Sequence, residues 1–546
     1  MKGSTKREST ILPQLPYVKV IRDPIHGYIQ LTELEYRLIQ LPALVRLHNI
    51  HHMGIGYLIY PGAKTSRFEH SLGVMNLASR MIIQILRSIN HKELKELFNL
   101  DTKSEEFRHA CCMLIQKVRL AALLHDIGHG PYSHATEEIL LKTLNNDEIQ
   151  EAQELFNCKE KKDIPVHEYF SYKMIIDKRS EISNILRKKG IEPSEIAELL
   201  IKSKPSSRNT PEEGVYIIRK IISGYLDADR MDYLLRDSHA TGVPFGLTDI
   251  DRIIMHLSVK KADGKYRLVV HERALMSIED MMDARFKMYK WVYGHHLKVA
   301  LEVLLRKAIE YMVEKKAIGQ QEFHWTYFLE GKTDDAYIYS KLRECLEKDK
   351  EAQKWFRCLF DRRYIPISLL KRPLDYFNFF EKIRDNVKRK VTFRIRDEDL
   401  TNEVYKAIGK WFRTIKQLME NMWAKKMEVP SSIEKIAEDI KRITGKEGRF
   451  IIAAKPRSPY RAYRAPEEVI WIYSDEYEKP IEVTALSTYI RKINEEWIVF
   501  PSYYISLLLS ETKKEDAKGY RSLILKYLEE KIAKIAQRSI EQERWS

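Results

Sequence analysis

Cysteine is scarce. There are five in 546 residues, Cys111, Cys112, Cys158, Cys345 and Cys358, and none forms a CxxC pair. An odd number at irregular spacing argues against a disulfide framework and against a thiolate zinc site, and it suits a reducing cytoplasm. Long apolar runs are also missing. None approaches the ~18 residues of a membrane span, and no apolar stretch follows the basic N-terminus, so neither a membrane segment nor a secretion signal is expected. Repeats and low-complexity tracts are absent. Acid falls short of base, with Asp+Glu 78 against Lys+Arg 93, a net charge of +15. That balance favours anionic partners, namely nucleotides, polyphosphate or nucleic acid, although a solvated basic surface would look the same.

What is present is a chain that is 44% apolar, enough for two or three domains with real cores. Residues 1–16 read as an arm. Residues 17–31 (YVKVIRDPIHGYIQL) alternate apolar and polar about a DPIHG turn, which predicts a β-hairpin. Helical periodicity runs from Glu33 to about Lys261, clearest over 73–90 and 109–125. Residues 202–213 form a polar loop, 265–271 a short strand, and helices resume from Met276. Beyond residue 390 short strands are expected at 450–454, 468–473, 481–484 and 497–500, then a helix near 513–541. The expected architecture is mainly α: a helical core with an N-terminal hairpin at 17–310, a helical extension at 311–390, and a smaller α+β domain at 391–546 for assembly or regulation.

Chemistry concentrates early, since of 17 histidines only His324 lies beyond residue 296. The densest segment is LAALLHDIGHGPYSH, residues 120–134. An apolar helix ends there in His125-Asp126, glycines and Pro131 break it, and His129 and His134 follow. Flanking Leu, Ala and Ile predict burial, and buried imidazole and carboxylate need a partner that a divalent cation supplies. Three further elements stand beside it. His70 opens a helix within SRFEHSLG. Asp229, Tyr233 and Asp237 share one stripe of a 225–239 helix, whereas Asp227 points about 200° away. Arg285, Tyr289 and Tyr293 repeat the i, i+4, i+8 spacing. Singly, each has an ordinary alternative: a packed histidine, an ion-paired amphipathic helix, a helix packing its aromatics. Together, His70, His125, Asp126 and Asp229 make a nitrogen and oxygen donor set suited to Fe, Mn, Ni, Mg or catalytic Zn.

The ordered set His70…His125-Asp126…Asp229 resembles the H…HD…D signature of the HD-domain phosphohydrolases. "RDPIHGYI", "PGAKTSRFEHSLGV", "LLHDIGHGPYSH", "HEYFS" and "LDADRMDYLLRDS" resemble the dNTP triphosphohydrolase-like branch over residues 17–300. The resemblance implies cleavage of a dNTP between its 5′ oxygen and the α-phosphorus, with His70, His125, Asp126 and Asp229 as metal ligands. It implies His134 as general acid, oriented by Glu137, and His129, His167 and Glu168 near the phosphates. Arg67, Arg230, Tyr233 and Arg285 match phosphate- and sugar-contacting positions, with Asp237 and Tyr293 on the sugar side. Lys19, Arg22 and Arg46 are candidates for an allosteric nucleotide, and a dimer or tetramer is implied. The chain departs from the branch at His52 and Gly294, where relatives carry Gln, at Arg230, where some carry Lys, and at Gln40 and His48, where an activating guanine is read. Sugar, base and activator are therefore left open. With only residues 1–16 upstream, no sterile-alpha-motif domain is expected ahead of the core. Two other functions remain in view: a phosphodiesterase or nuclease using the same ion, for which the Arg/Tyr-rich 455–464 segment could grip single strands, and a nucleotide-binding sensor or scaffold with little turnover.

Overall fold

The computed structural model describes residues 12–201, 211–262, 264–391, 396–424, 431–454, 470–475, 480–487, 503–510 and 513–543. The chain forms two compact units. The first contains Met1–Tyr293, Ile318–Tyr339 and Ser458–Ile498. The second contains Gly294–Ala317, Ser340–Arg457 and Val499–Ser546. The linear divisions expected at 310/311 and 390/391 do not follow these units. Strand Trp471–Tyr473 returns to the first unit and pairs in parallel with Lys265–His271, because main-chain pairing ignores distance along the chain.

The first unit opens with a hairpin, β1 (Tyr17–Asp23) and β2 (Gly27–Thr32), in antiparallel register with Asp23 opposite Gly27. Asp23 Oδ1 accepts the Ile25 and His26 amides at 2.9 and 2.8 Å, and Gly27 takes φ +73°, the left-handed conformation that closes the turn. The core is helical. α1 (Arg67–Ser88) starts at Ser66, whose hydroxyl and the Glu69 carboxylate cap each other's amides. It packs on α2 (Phe107–Leu124) and on α4 (Ala228–Thr241). The apolar residues before the His-Asp pair, Leu120 to Leu124, are completely buried. α3 (Val166–Ile176) lies against the loop after α2, and α5 (Leu275–Met288) continues into a π-helical turn at Tyr289–Tyr293. Such turns redirect side chains and recur at functional sites.

A four-stranded sheet has the order Leu257–Ala262, Lys265–His271, Trp471–Tyr473, Ile481–Glu482. The first of these strands falls where helical periodicity was read. Its antiparallel partner, Lys265–His271, draws it into extended pairing. At 481–484 the strand stops at Glu482 and a short helix follows.

The second unit places helices Pro373–Lys390, Asp397–Ala424 and Ala517–Glu543 around a three-stranded antiparallel sheet. Tyr503–Leu509 is central there, between Ile367–Leu370 and Gly448–Ala454. Leu369, Ile383, Leu400, Ile505, Leu507 and Ile532 form its core. The strand expected at 497–500 and the Arg/Tyr segment 455–464 lie outside the described residues. No helix among the described residues is long and apolar enough to cross a membrane.

Candidate metal centre and catalytic pocket

Three elements converge. His70 sits in the first turn of α1, His125 caps the end of α2 with Asp126 next, and Asp229 lies in the first turn of α4. His70, His125 and Asp126 offer ligand atoms within 4.8 Å of one another. His70 Nε2 is 3.1 Å from Asp229 Oδ1 and 3.6 Å from Asp126 Oδ2, and His125 Nε2 is 3.3 Å from Asp126 Oδ1. Asp227, two residues before Asp229, instead caps α4 by accepting the Arg230 amide at 2.6 Å.

The tautomers are set from behind. His125 Nδ1 stands 2.7 Å from the Ala122 carbonyl, which only accepts, so Nδ1 carries the proton and Nε2 keeps a lone pair. His70 Nδ1 bonds Asp232 Oδ2 at 2.7 Å, so a proton sits on Nδ1 there too and Nε2 is the atom turned towards Asp229. Both Nε2 atoms are buried without a hydrogen-bond partner. Two imidazole Nε2 atoms facing the carboxylates of Asp126 and Asp229 form a donor set that a divalent cation fits once it displaces the proton on His70 Nε2, with carbonyl and carboxylate supports of the kind metal-bound histidines use. The field agrees. Burial opposes a charged His70, but Asp229, Asp232 and Asp126 outweigh it and raise its pKa to about 10. A pocket that holds a proton so firmly also attracts a cation. Asp126 is held well below the usual carboxylate range against its burial, by Arg67, His125 and His129.

A second cluster adjoins the first. His129, His134, Glu137 and His167 bring ligand atoms within 4.8 Å of one another. The His129 and His167 rings stack at 4.1 Å, and His129 Nε2 is 3.4 Å from Asp126 Oδ1. One oxygen of Glu137 faces both His134 Nδ1, at 2.7 Å, and His167 Nδ1, at 2.6 Å. Burial alone would raise the Glu137 pKa, yet the two imidazoles hold it well below the ordinary value. His134 is the exposed member, with 66% of its side chain accessible. Burial opposes a charged His167, but Glu137 first and then half-buried Glu168 beside it raise that imidazole's pKa.

The substrate candidates lie along the same wall. Arg67 is buried, donating from Nε to Ser133 Oγ at 2.9 Å and from Nη1 to Asp126. Arg230 and Arg285 both lie over the ring of Tyr225, at 5.9 and 5.6 Å. Arg285 is buried, with Nε and Nη1 unpartnered among the described residues, an arrangement that suits an anion. His52 bridges the two regions. Its ring is 4.5 Å from His70 and 6.3 Å from Tyr233, and its Nδ1 is 3.1 Å from Asp237 Oδ1. Tyr293 donates to Asp237 Oδ2 at 2.8 Å, so Asp237 is held from both sides.

The three allosteric candidates separate. Lys19 and Arg22 are exposed on β1, over the rings of Tyr36 and Tyr28. Arg46 is 2% exposed. Its guanidinium donates to the Ile127 and His129 carbonyls at 2.9 and 2.8 Å and stacks on Phe328 at 4.1 Å. That is the position of a side chain holding the loop after His125 and Asp126, and it leaves the guanidinium no open face for a nucleotide.

Reading the sequence alone missed several supports. Tyr132 and Ser133 have φ of 57° and 56°, unusual for residues with a Cβ. Asp335 accepts the Tyr132 amide at 2.5 Å and the His51 amide at 3.0 Å, while Ser133 donates to the His51 carbonyl at 2.7 Å. Asp335 lies 203 residues from Tyr132 with no motif around it, so no local signal marks it. Asp232 was legible only as another acidic residue of α4.

Residues 67–202 match the HD domain and residues 248–395 the HD associated region. An uncharacterized protein of Methanocaldococcus jannaschii is 31% identical over 326 residues, covering 60% of this chain and 55% of that protein. The deoxynucleoside triphosphate triphosphohydrolase SAMHD1 of Homo sapiens is 27% identical over 346 residues, covering 60% and 50%. The chain thus spans about half the length of most curated relatives it matches. The solved structure of a hypothetical protein from Aquifex aeolicus aligns with a TM-score of 0.56 at 24% identity, over 93% of this chain and 99% of that one, which shows a shared fold.

Proposed function

From the premise that this chain is an HD-domain protein resembling the dNTP triphosphohydrolase-like branch, we propose that it is a metal-dependent phosphohydrolase of nucleotides, acting on a dNTP to release deoxynucleoside and triphosphate. The observation that carries the proposal is the pair of buried, unpartnered Nε2 atoms of His70 and His125 facing Asp126 and Asp229, with a cationic, aromatic wall beside them.

His70, His125, Asp126 and Asp229 would hold a divalent cation, which would supply Lewis-acid charge and lower the pKa of a bound water. The remaining work falls to the chain. Arg67, Arg230 and Arg285 neutralise the phosphates, and His129 and His167 line the same approach. A water oxygen bonds to the α-phosphorus and its released proton passes to solvent, while the bond from phosphorus to the 5′ oxygen breaks. That oxygen takes a proton from His134, the exposed imidazole oriented by Glu137. Asp237, held by His52 and Tyr293, offers its carboxylate on the sugar side.

The test is product analysis of purified protein given each dNTP and NTP with Mn, Fe, Ni, Mg or Zn. Deoxynucleoside with intact triphosphate supports the proposal. Monophosphate with pyrophosphate refutes that cleavage position, and no turnover with any nucleotide refutes the reading. The basic balance favours one alternative substrate, single-stranded nucleic acid. Degradation that disappears in His125→Ala would identify a phosphodiesterase or nuclease instead.

A further inference from the structure

Behind the metal centre lies a buried carboxylate that no catalytic role uses. Asp232 is completely buried, and all its lone-pair directions are taken. Oδ1 accepts from His26 Nε2 at 2.6 Å and from Arg236 Nη2 at 2.8 Å. Oδ2 accepts from His70 Nδ1 at 2.7 Å and from Arg236 Nε at 2.8 Å. The guanidinium of Arg236 continues through Nη1 to Asp23 Oδ2 at 2.9 Å. The other oxygen of Asp23 binds the amides of Ile25 and His26 and so sets the hairpin turn that presents His26.

The packing admits this ion cluster at one place. A Cβ built on Gly73, one turn along α1 from His70, would fall 1.8 Å from Asp232 Oδ1 and 2.6 Å from Arg236 Nη2. Any larger residue there displaces the carboxylate. The glycine therefore serves as a notch, and its backbone is ordinary helix.

Resting on the metal-site reading above, we infer that Asp232 is the positioning residue of the metal centre, fixed by His26, Arg236 and the Gly73 notch, so that the turn of the N-terminal hairpin is a working part of that centre. Two physical consequences follow. The proton stays on His70 Nδ1, which keeps Nε2 as the ligand atom. In addition, the carboxylate makes the imidazole a stronger donor. The competing view is a staple: an i, i+4 ion pair that merely ties the hairpin to α4.

Metal affinity separates the two. Full-length wild type and His26→Leu, His26→Gln, Gly73→Ala and His70→Ala variants are stripped with a chelator and titrated with Mn2+, following free Mn2+ by electron paramagnetic resonance. Melting temperatures of the stripped proteins are measured alongside. The expected result is Mn2+ binding about 10–100-fold weaker in His26→Leu and Gly73→Ala, with His26→Gln, whose amide can replace the Nε2 donor, within about threefold of wild type. Lower melting with unchanged Mn2+ affinity in both His26→Leu and Gly73→Ala would overturn the inference and leave a staple. If one of the two fails to fold, the other decides. If wild type binds Mn2+ no better than His70→Ala, the metal-site reading itself falls, an outcome distinct from the first.

Discussion

At the scale of single residues, the site divides by what each side chain can do that its neighbours cannot. His125 Nε2 is available because a carbonyl occupies its other nitrogen, so His125→Ala should lose the bound cation and about 100-fold or more of the hydrolysis, read by metal analysis and product assay on the same sample. His134 is different in kind. It is exposed and tied to Glu137, and it belongs to the second cluster with His129 and His167, outside the set formed by His70, His125 and Asp126. His134→Gln should retain the cation proposed for the His70, His125, Asp126 and Asp229 set while kcat falls by about 10²–10⁴. Equal loss of metal in both variants would contradict this separation of roles.

At the scale of elements, close approach and caps decide whether the site holds its shape. α3 brings His167 to the pocket by lying directly on Gly128, where an added Cβ would fall 2.3 Å from the His167 carbonyl oxygen and the Ser171 amide nitrogen. Gly128→Ala should therefore cost about 1–3 kcal/mol in chemical denaturation and lower kcat by displacing His167. The helix Asn146–Phe156 carries a pH dependence. Glu148 closes its capping box with Asn145 and accepts from Trp325 Nε1 at 2.9 Å, with His324 Nε2 at 3.0 Å. Burial opposes the charge, but His324, Trp325 and the Asn145 amide lower the Glu148 pKa to about 2. A carboxyl whose folded pKa lies below its unfolded value stabilises above the ordinary range and loses that contribution as the pH falls towards 2. Wild type should thus lose more stability between pH 6 and pH 3 than Glu148→Gln, measured by urea unfolding at both values.

At the scale of the whole molecule, a cation bound by the proposed ligands, which come from three separate segments, would link metal to stability. His70, the 125–126 pair and Asp229 come from helices far apart in the chain, and the unfolded state cannot gather them. At a metal concentration 100 times its Kd, this linkage contributes about 2.7 kcal/mol. Chelator should lower the melting temperature of wild type and leave that of His70→Ala unchanged. Equal shifts in the two would place the metal elsewhere. The spatial units make a related point: strands from 471–482 complete a sheet begun at 257–271, so truncation near residue 390 should expose the Lys265–His271 edge and reduce soluble yield.

The sequence by itself determined the hairpin, the helices that carry His70, His125 and Asp229, and the mainly α class, because each rests on local periodicity, a turn or a cap. The order of the ionisable residues was equally legible, and so was the rejection of Asp227, which helix geometry alone excludes from the stripe of Asp229. Only the tertiary structure decided which groups stand behind the ligands. Asp232, His26, Gly73, Asp335 and the inward turn of Arg46 act through contacts between segments with no shared pattern. The strand at Leu257–Ala262 went unread for the same reason, since its hydrogen-bond partner, and not its own periodicity, makes it extended. Burial and donor geometry arise when distant segments meet, and a linear pattern carries no record of that meeting.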